Sequence, residues 1–348
     1  MEWSTPTLLV DLAAWEHNLT AAEVMLRGSG KQLRPHVKTH GSSALALRQL
    51  GPAAAGVTCA TVGEAEAMVG AGIGDVLLAN EIADAGAVAR MVCLAQGSRI
   101  TVAADCAESV GLLSAAAAQR GVILNVLVDI DTGLGRCGVA DEGAARELAL
   151  AVERAPGLRF AGIMGYEGRI RAGVPDRDRR IAAAFGLLAA CKAAIEGAGL
   201  EVETVSAAGT STLTEALREP SITEIQAGTY ALMEPDLEGL GLPFRCAISI
   251  AATVISRAPG RVVLDAGRRS LGCDYGPPLP LDARGKVQSI ADEHVVLRWD
   301  GELPPLGSRL YLRPSQNRTT FNLYAEAWLV DNGSVVERIP IEGRRGVR

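Results

Sequence analysis

Lys38 is the residue whose position most clearly predicts chemistry. It lies in the segment Arg34–His40, Arg-Pro-His-Val-Lys-Thr-His, just after a short apolar start at Leu33. A lysine at the end of a buried strand is costly to keep charged, so it can lose its proton and become a nucleophilic amine. The natural partner of such an amine is a carbonyl, most commonly that of pyridoxal 5'-phosphate (PLP). The alternative is a structural lysine whose head reaches solvent from the strand end.

Two turns rich in small residues predict a phosphate site. They are Ser206–Ser211 and Ala227–Tyr230, and each follows an apolar run that we interpret as a strand. Small residues let backbone N–H groups approach an anion, and the start of a following helix adds its dipole. One such turn is weak evidence because glycine is common at tight turns, but two after successive strands are stronger. The candidate cofactor-binding residues here are Ser206, Gly209, Thr210, Gly228, Thr229 and Tyr230.

Further candidates follow other predicted strands. Arg136, on a glycine-flanked loop, is either a cation that holds a cofactor ring atom or a surface arginine. Tyr166 would stack on or hydrogen-bond a planar ring, or else belong to the core. His36 is a cofactor-binding candidate, although both it and His40 could equally be structural or carry protons. Lys38 and Tyr166 are the catalytic candidates among these residues.

Alternating strands and helices must position these side chains. After a leading strand at 7–10 and a helix to about residue 27, eight short and mostly apolar runs predict strands buried on both faces. Alanine-rich helical stretches separate most of them. Eight such units in about 200 residues predict a closed (β/α)8 TIM-like barrel with its active site at the carboxyl ends of the strands. A doubly wound open sheet is the alternative, but no G-x-G-x-x-G follows the first strand. The predicted strands are 33–37, 56–60, 75–79, 99–103, 122–129, 158–165, 202–206 and 222–226, and the helices include 83–95, 106–120, 141–154 and 178–198.

The pattern changes after about residue 240. Helical periodicity vanishes, and short β-rich runs separated by turn signals such as Pro259-Gly260 take its place. We therefore predict two domains: a PLP-binding barrel over residues 12–238, and a β domain made of residues 1–11 plus 239–348. The β-rich runs are 247–255, 261–265, 295–299, 309–312 and 327–330.

The composition excludes several classes of protein. A net charge of −6 and a pI near 5.4 argue against a nucleic-acid partner, and no apolar run is long enough to span a membrane. The amino terminus lacks a signal-peptide pattern, and the seven cysteines are scattered without a CxxC pair. We therefore expect a reduced, cytoplasmic protein. The four histidines form no cluster of zinc-binding spacing.

Four motifs resemble those of one enzyme family. They are Arg34–His40, Asp131–Gly138, Gly165–Gly168 and Ala227–Tyr230. Together they look like the D-threonine aldolase / D-serine dehydratase family, a branch of the fold-type III, alanine-racemase-like PLP enzymes. The resemblance covers almost the whole chain, and the lysine segment is its most specific part.

The resemblance implies a barrel with a C-terminal β domain and a homodimer with active sites near the subunit interface. It implies that PLP forms its Schiff base with Lys38 and that Arg136 lies near the phenolic oxygen or the nitrogen of the ring. It also implies that the phosphate is bound by Gly209, Thr210, Gly228 and Thr229.

One stretch departs from the family pattern. Members with lyase activity carry a histidine and a cysteine or aspartate near the carboxyl terminus, and these bind Zn²⁺ or Mn²⁺, which grips the substrate β-hydroxyl. In the matching stretch, Arg313–Tyr324, Gln316 replaces the histidine and Arg318 the cysteine or aspartate. Arginine offers no lone pair to a metal, so we expect no divalent metal. Gln316 and Arg318 become substrate-binding candidates, and Arg318 also a catalytic one, unless it turns to solvent.

The leading hypothesis is a PLP-dependent enzyme that acts at the α-carbon of an amino acid, expected to be of D configuration. A metal-independent lyase of aldolase or dehydratase type, acting on a β-hydroxy-D-amino acid, ranks first. An amino-acid racemase or epimerase, which needs a second base, is the first alternative. A PLP-binding protein without turnover is another, although the β domain argues against it, and a barrel enzyme that uses Lys38 on a substrate carbonyl without PLP is a third.

Overall fold

The computed structural model describes residues 3–51, 54–168 and 170–344. Within these ranges the chain forms two compact units. The barrel unit contains residues 22–38 and 45–228, and the sheet unit contains residues 3–21, 39–44 and 229–344. The sheet unit thus includes 12–21 and 229–238, which the predicted bounds assign to the barrel. The reason is local: the Asn18 amide donates to the carbonyls of Ala231 and Arg245, at 2.9 and 2.7 Å.

Strand β1 (Thr7–Asp11) belongs to the sheet unit, and the next eight strands form the barrel sheet. Each predicted barrel strand has an observed counterpart, and most are shorter. The first and the last are shortened most, to two residues each. The first ends early because Pro35 has no N–H to donate and a 3-10 turn begins at Val37. The barrel strands are β2 (Gln32–Leu33), β3 (Val57–Cys59), β4 (Asp75–Leu78), β5 (Arg99–Ala104), β6 (Leu124–Ile130), β7 (Leu158–Gly165), β8 (Thr204–Ala207) and β9 (Glu224–Ile225).

The barrel closes. Every pair in the order β2-β9-β8-β7-β6-β5-β4-β3 is parallel. The two ends of that order meet through parallel bridges from Leu33 to Ala54 and from His36 to Thr58. The predicted fold class is therefore confirmed, and the open doubly wound sheet is excluded.

Several helices begin at side-chain caps. The carboxylates of Asp84 and Asp141 accept the N–H groups of residues three positions further along, and the Thr61 hydroxyl does the same. All four helical stretches predicted from the alanine-rich pattern are present. The helices are α1 (Leu12–Leu26), α2 (Ser43–Gln49), α3 (Val62–Gly70), α4 (Ala85–Leu94), α5 (Ala107–Arg120), α6 (Glu142–Arg154), α7 (Arg177–Gly197), α8 (Leu213–Arg218) and α9 (Asn317–Leu323).

The sheet unit is built on nine strands. Strand β1 lies at its centre, antiparallel to β10 (Ile248–Ala258) and parallel to β16 (Glu326–Asp331). Sequence patterns miss three of its strands, because these are short or largely exposed and so lack apolar alternation. They also miss α9, whose seven residues are too few to show a period. The remaining strands are β11 (Arg261–Leu264), β12 (Leu279–Pro280), β13 (Gly285–Ile290), β14 (Val295–Trp299), β15 (Arg309–Arg313) and β17 (Ser334–Pro340).

Two sequence expectations concern the whole chain. The seven cysteines are free thiols. No helix among the described residues combines the length and the apolar character that a membrane crossing requires.

Arg34 ties the barrel together beside β2, one of its two shortest strands. Its side chain is 8 % exposed, and it donates from Nε to Glu224 at 2.8 Å and from Nη1 to Asp75 at 2.7 Å. Glu224 lies on β9 and Asp75 on β4, so one guanidinium links the segments on both sides of β2. Gly56 makes room for it: its φ is +117°, and a Cβ there would lie 2.7 Å from the Arg34 Nη1 atom.

We predict that Arg34→Met lowers the free energy of unfolding by about 3–5 kcal/mol, because it leaves two carboxylates of a largely buried network without their cation. Chemical denaturation at neutral pH measures this loss. Arg90→Met is the matched control, since Arg90 pairs with Glu66 where both side chains are more than one-third exposed, and it should lower the free energy of unfolding far less than Arg34→Met. Equal losses in the two variants would contradict the role of Arg34.

Candidate active site

Lys38 lies in the barrel unit, within the 3-10 turn Val37–Thr39 that follows β2. The side chain is partly buried, and its Nζ atom lies 5.6 Å from the centroid of the Tyr166 ring, within the range of a cation–π contact. Tyr166 directly follows β7. The structure therefore brings together the two catalytic candidates of the barrel, which are 128 positions apart in the sequence.

The Tyr166 ring also lies on the first predicted phosphate turn. A Cβ built on Gly209 would stand 3.3 Å from Cε2 of Tyr166, so a larger residue at 209 would press on the ring. Lys38, Tyr166 and the turn at Gly209 consequently form a continuous row at the carboxyl ends of the barrel strands.

Glu167 holds this turn from the interior, a role that sequence reasoning missed. Its carboxylate is 4 % exposed and accepts hydrogen bonds from the Thr212 hydroxyl and from the N–H groups of Ala208 and Gly209. Burial raises the pKa of Glu167, and these hydrogen bonds oppose the rise. They also support Ala208 at a φ of +66°, which is unusual for a residue with a side chain.

This arrangement changes the expected role of Gly209. Its N–H already faces Glu167, and it lies 3.3 Å from the Thr212 hydroxyl oxygen as well. Gly209 therefore provides space for Tyr166 rather than an open donor. A helix dipole would also add little to phosphate binding here, because only the 3-10 turn Thr210–Thr212 and the six-residue α8 follow β8.

The second predicted turn spans the boundary of the two units. Gly228 is the last residue of this part of the barrel unit, and Thr229 begins a three-residue 3-10 turn in the sheet unit. Tyr230 is buried there and packs edge-to-face against Phe244, with ring centroids 5.7 Å apart. Cofactor binding by these residues and by Thr210 stays a prediction.

Ser206 has a different role from the one expected. Its hydroxyl donates to Glu224 at 2.6 Å and accepts from the Gln226 amide at 3.0 Å. Glu224 is the carboxylate that also binds Arg34, so Ser206 belongs to the network that closes the barrel. With its one proton donated to Glu224, the hydroxyl has none to offer a phosphate.

The two histidines beside Lys38 are both buried. The backbone N–H of His36 donates to the Ala227 carbonyl at 3.2 Å, which extends the pairing of the β2 and β9 segments. In the sheet unit, Nδ1 of His40 accepts the Ser42 N–H at 3.0 Å, and its ring packs edge-on against Trp15 and Phe321. These contacts favour the structural alternative for His40.

Arg136 is exposed on a loop that Asp131 organises. The Asp131 carboxylate accepts the N–H groups of Gly133 and Gly135, at 3.0 and 2.9 Å. Gly138 ends the loop with a φ of +105°, where a Cβ would lie 2.4 Å from the Asp131 nitrogen. The loop thus presents the Arg136 guanidinium at the carboxyl end of β6, where its charge acts to lower the pKa of the buried Asp129.

Glu64 supplies a carboxyl group near Lys38. Burial raises the pKa of Glu64, while the Ala60 N–H, at 2.6 Å, and the charge of Lys38 act in the opposite direction. Glu64 lies in the first turn of α3, after the cap at Thr61. The site therefore places an acid within electrostatic reach of the candidate amine.

Gln316 and Arg318 lie in the sheet unit, at the start of α9. Nη2 of Arg318 donates to the Tyr275 hydroxyl at 3.0 Å. In the orientation that satisfies both ends of the Gln316 amide, its nitrogen donates to Asp274 at 2.9 Å and its oxygen accepts from Arg318 and Tyr275, at 3.0 Å each. Arg318 is therefore half-buried and fixed by Tyr275 rather than turned freely to solvent.

This donor set does not fit a divalent metal. The Arg318 guanidinium has no lone pair, and the Gln316 oxygen already accepts two hydrogen bonds. Asp274 alone would leave a metal with a single carboxylate. The absence of a divalent metal from the working protein stays a prediction.

Comparison with known proteins agrees with this architecture. Residues 10–235 match the family model "Alanine racemase, N-terminal domain", and residues 247–330 match "Putative serine dehydratase domain". The fold and these matches define the alanine-racemase-like class, fold-type III.

Individual relatives narrow the class. The chain is 36 % identical to a D-threonine aldolase of an Arthrobacter species, over 98 % of this chain and 92 % of the relative. It is 33 % identical to a 3-hydroxy-D-aspartate aldolase of Paracoccus denitrificans, over 99 % and 92 %. The crystal structure of D-threonine aldolase from Filomicrobium marinum is 36 % identical, with a TM-score of 0.95 over 99 % of this chain and 97 % of that one. The chain belongs to the D-threonine aldolase / D-serine dehydratase-like family.

We predict that Thr212→Val weakens the turn beneath Tyr166, because Glu167 loses a hydroxyl donor while buried. The expected loss of unfolding free energy is about 1–3 kcal/mol, accompanied by faster loss of PLP absorbance on dialysis. Thr212→Ser keeps the hydroxyl and is the control. If the valine variant retained PLP as well as the serine variant, Glu167 would not be supporting a cofactor turn.

Proposed function

We propose that this protein is a PLP-dependent lyase that acts at the α-carbon of a β-hydroxy-D-amino acid without a divalent metal. The observation that carries the proposal is the row formed by the Lys38 amine, the Tyr166 ring and the turn at Gly209. It provides an amine for covalent attachment, a flat aromatic surface for a planar ring and a backbone turn at one place in the barrel.

The residues of the row fit the cofactor by their chemistry. Lys38 would hold PLP covalently and Tyr166 would contact its ring. Thr210 would face the phosphate, in a turn where Gly209 supplies space rather than an N–H donor, with Gly228 and Thr229 completing that part. Arg136 would face a ring heteroatom. When bound, PLP supplies an electron sink for the pair left at the α-carbon.

The chain's own residues would then handle the protons. In its neutral form, the amine of Lys38 would take the β-hydroxyl proton at Nζ as the Cα–Cβ bond breaks and the aldehyde leaves, and it would return that proton to the α-carbon. Glu64 lies within electrostatic reach of that amine, whose charge acts to lower the pKa of Glu64. Tyr166 restricts the space beside Lys38, so it would orient the group that lies there.

The relatives support a lyase over the racemase alternative. The two curated relatives and the solved structure described above are all named as aldolases. The match of the sheet unit to a dehydratase domain model also supports an enzyme rather than a PLP-binding protein without turnover. The homodimer and the cytoplasmic location expected from the sequence stay predictions.

We expect the purified protein to cleave D-threonine to glycine and acetaldehyde, or D-3-hydroxyaspartate to glycine and glyoxylate, with EDTA present. A dehydratase would instead release ammonia and a keto acid, and a racemase only the L isomer, so product analysis on D and L substrates separates the three. Lys38→Ala should abolish turnover, whereas Lys192→Ala, at a surface pair with Glu196, should not change it.

Covalent attachment is tested separately. The chain has only four lysines, at 31, 38, 192 and 286, so borohydride reduction followed by peptide mapping gives an unambiguous answer. A pyridoxyl label on Lys38 is expected. A label on one of the other three lysines would refute the assignment of Lys38, and no label at all would refute PLP attachment.

We further propose that Arg318 grips a substrate oxygen, a β-hydroxyl or a side-chain carboxylate, in place of a metal. Its support is the fixed geometry of the guanidinium, held by Tyr275 and Gln316. Arg318→Ala should lower kcat/KM. The loss should correspond to about 2–4 kcal/mol of transition-state stabilisation, the scale of a charged hydrogen bond.

Two controls accompany that measurement. Arg318→Lys keeps the charge but not the planar fork, so it should recover only part of the activity. Arg338→Ala, on the exposed strand β17 of the same unit, should behave as wild type. Activity lost on chelation and restored by Mn²⁺ or Zn²⁺ would show that a metal is needed, and an unaffected Arg318→Ala would show that the arginine has no such role.

A further inference from the structure

Asn317 lies between Gln316 and Arg318 in the sheet unit, and it binds a second segment of that unit at two points. Its backbone N–H donates to the Glu234 carboxylate at 2.7 Å, and its side-chain amide donates to the Met233 carbonyl, also at 2.7 Å. Met233, Glu234 and Asn317 are all buried, and Glu234 is 0 % exposed. We call these three residues the clamp.

The clamp fixes the start of α9. The side-chain amide of Gln316, the residue before this helix, is engaged with Arg318. Glu234 instead supplies the oxygen that accepts the first N–H of the helix, where a negative charge is favourable. Because Arg318 is the second residue of α9, its backbone position depends on this contact.

A second loop of the sheet unit packs against the same helix start. A Cβ at Gly272 would lie 2.8 Å from the Thr320 hydroxyl oxygen, which accepts the Gly272 N–H at 3.0 Å. The same loop carries Tyr275, whose backbone N–H donates to the Ser315 hydroxyl at 3.2 Å. Tyr275 is the residue that binds the Arg318 guanidinium. The guanidinium therefore keeps its place only while the helix start keeps its own.

The clamp also reaches one of the phosphate candidates. Met233 has a φ of +50°, which is unusual for a residue with a side chain. Such a conformation persists only where surrounding contacts hold it, and the Asn317 amide is one of them. The Met233 N–H donates to the Thr229 carbonyl at 2.6 Å. The segment 229–234 thus joins Thr229 to the start of α9 within one unit.

We propose that Asn317 and Glu234 are positioning residues that couple the segment 229–234 to the start of α9, so that Thr229 and Arg318 keep their places together. An offset of about 1 Å in a group that orients a substrate can cost roughly 100-fold in rate. The inference rests on the proposed function for what Thr229 and Arg318 bind, whereas the coupling of the two segments does not depend on it.

Hydrogen exchange, followed by mass spectrometry on the purified protein, tests the coupling itself. Asn317→Ala should raise amide exchange both in α9 and in the segment 229–234, because each loses the contact that holds it to the other. Arg318→Ala should leave the segment 229–234 as protected as in wild type. Asn332→Gly is the control: Asn332 lies in an exposed turn with a φ of +47°, which suits glycine, and should change neither region.

A double-mutant cycle tests the effect on Arg318. On the D-amino acid that wild type cleaves, Asn317→Ala should lower kcat/KM about tenfold. Added to Arg318→Ala, the same change should lower it less than twofold further, because no guanidinium is left to position. Losses that simply multiply in the double variant would overturn the positioning role.

Cofactor retention tests the effect on Thr229. Asn317→Ala should weaken the binding of PLP about fivefold and leave the binding of pyridoxal, which has no phosphate, unchanged. Equal losses for the two compounds, or none for PLP, would overturn the link to Thr229.

Glu234 provides a second pair of variants if Asn317→Ala does not fold. Glu234→Ala removes the acceptor and should raise exchange in both segments, whereas Glu234→Gln keeps an acceptor oxygen and should restore most of the protection. Exchange that rises in α9 alone would overturn the coupling. A protein without lyase activity would refute the proposed function, while the exchange result would still decide the coupling, so the two failures can be told apart.

Discussion

The barrel depends on its closure at β2, which pairs with β9 and, like β9, has only two residues. Strand β2 contributes two residues to the ladder, yet Lys38 follows it within five positions. The Arg34 guanidinium, between Glu224 and Asp75, holds this segment on both sides. Ser206 extends the same network through its bond to Glu224. A buried arginine is stable only when all its partners are in place, so the loss of any one of these contacts would weaken the others. This network therefore fixes the segment that leads to Lys38.

Three buried carboxyl groups surround the candidate site, and each is stabilised differently. Glu167 binds backbone N–H groups and a hydroxyl, Glu64 faces the charge of Lys38, and the negative charge of Glu81 acts on Asp129. Their pKa values are raised in the folded protein, so each binds more protons there than in the unfolded chain. Their contribution to stability is therefore present at low pH and falls as the pH rises from the unfolded pKa to the folded one. At neutral pH, these raised pKa values therefore lower the free energy of unfolding of the protein.

The barrel residues of the expected site match the family motifs, whereas the sheet-unit residues do not. In the barrel unit, the lysine, the tyrosine and the small-residue turn follow the family motifs. In the sheet unit, the positions of the metal ligands hold an amide and a guanidinium, joined to Tyr275 and Asp274 by hydrogen bonds. A guanidinium offers fixed donors in a plane, whereas a metal ion offers open coordination positions. The substitution thus favours a substrate oxygen that can accept a planar, charged hydrogen bond.

The sequence by itself determined the fold class, the two kinds of structure along the chain, and the meeting of Lys38 with Tyr166. These follow from local rules, because apolar runs mark buried strands and residues after parallel strands share one end of a barrel. The structure alone decided that Ser206 bonds to Glu224 in the network that closes the barrel, that Glu167 holds a turn and that Asp129 lies within electrostatic reach of Glu81. Those contacts join residues 18 to 48 positions apart, and they depend on strand register, burial and side-chain direction. No local period encodes these quantities, so only the folded chain determines such pairs.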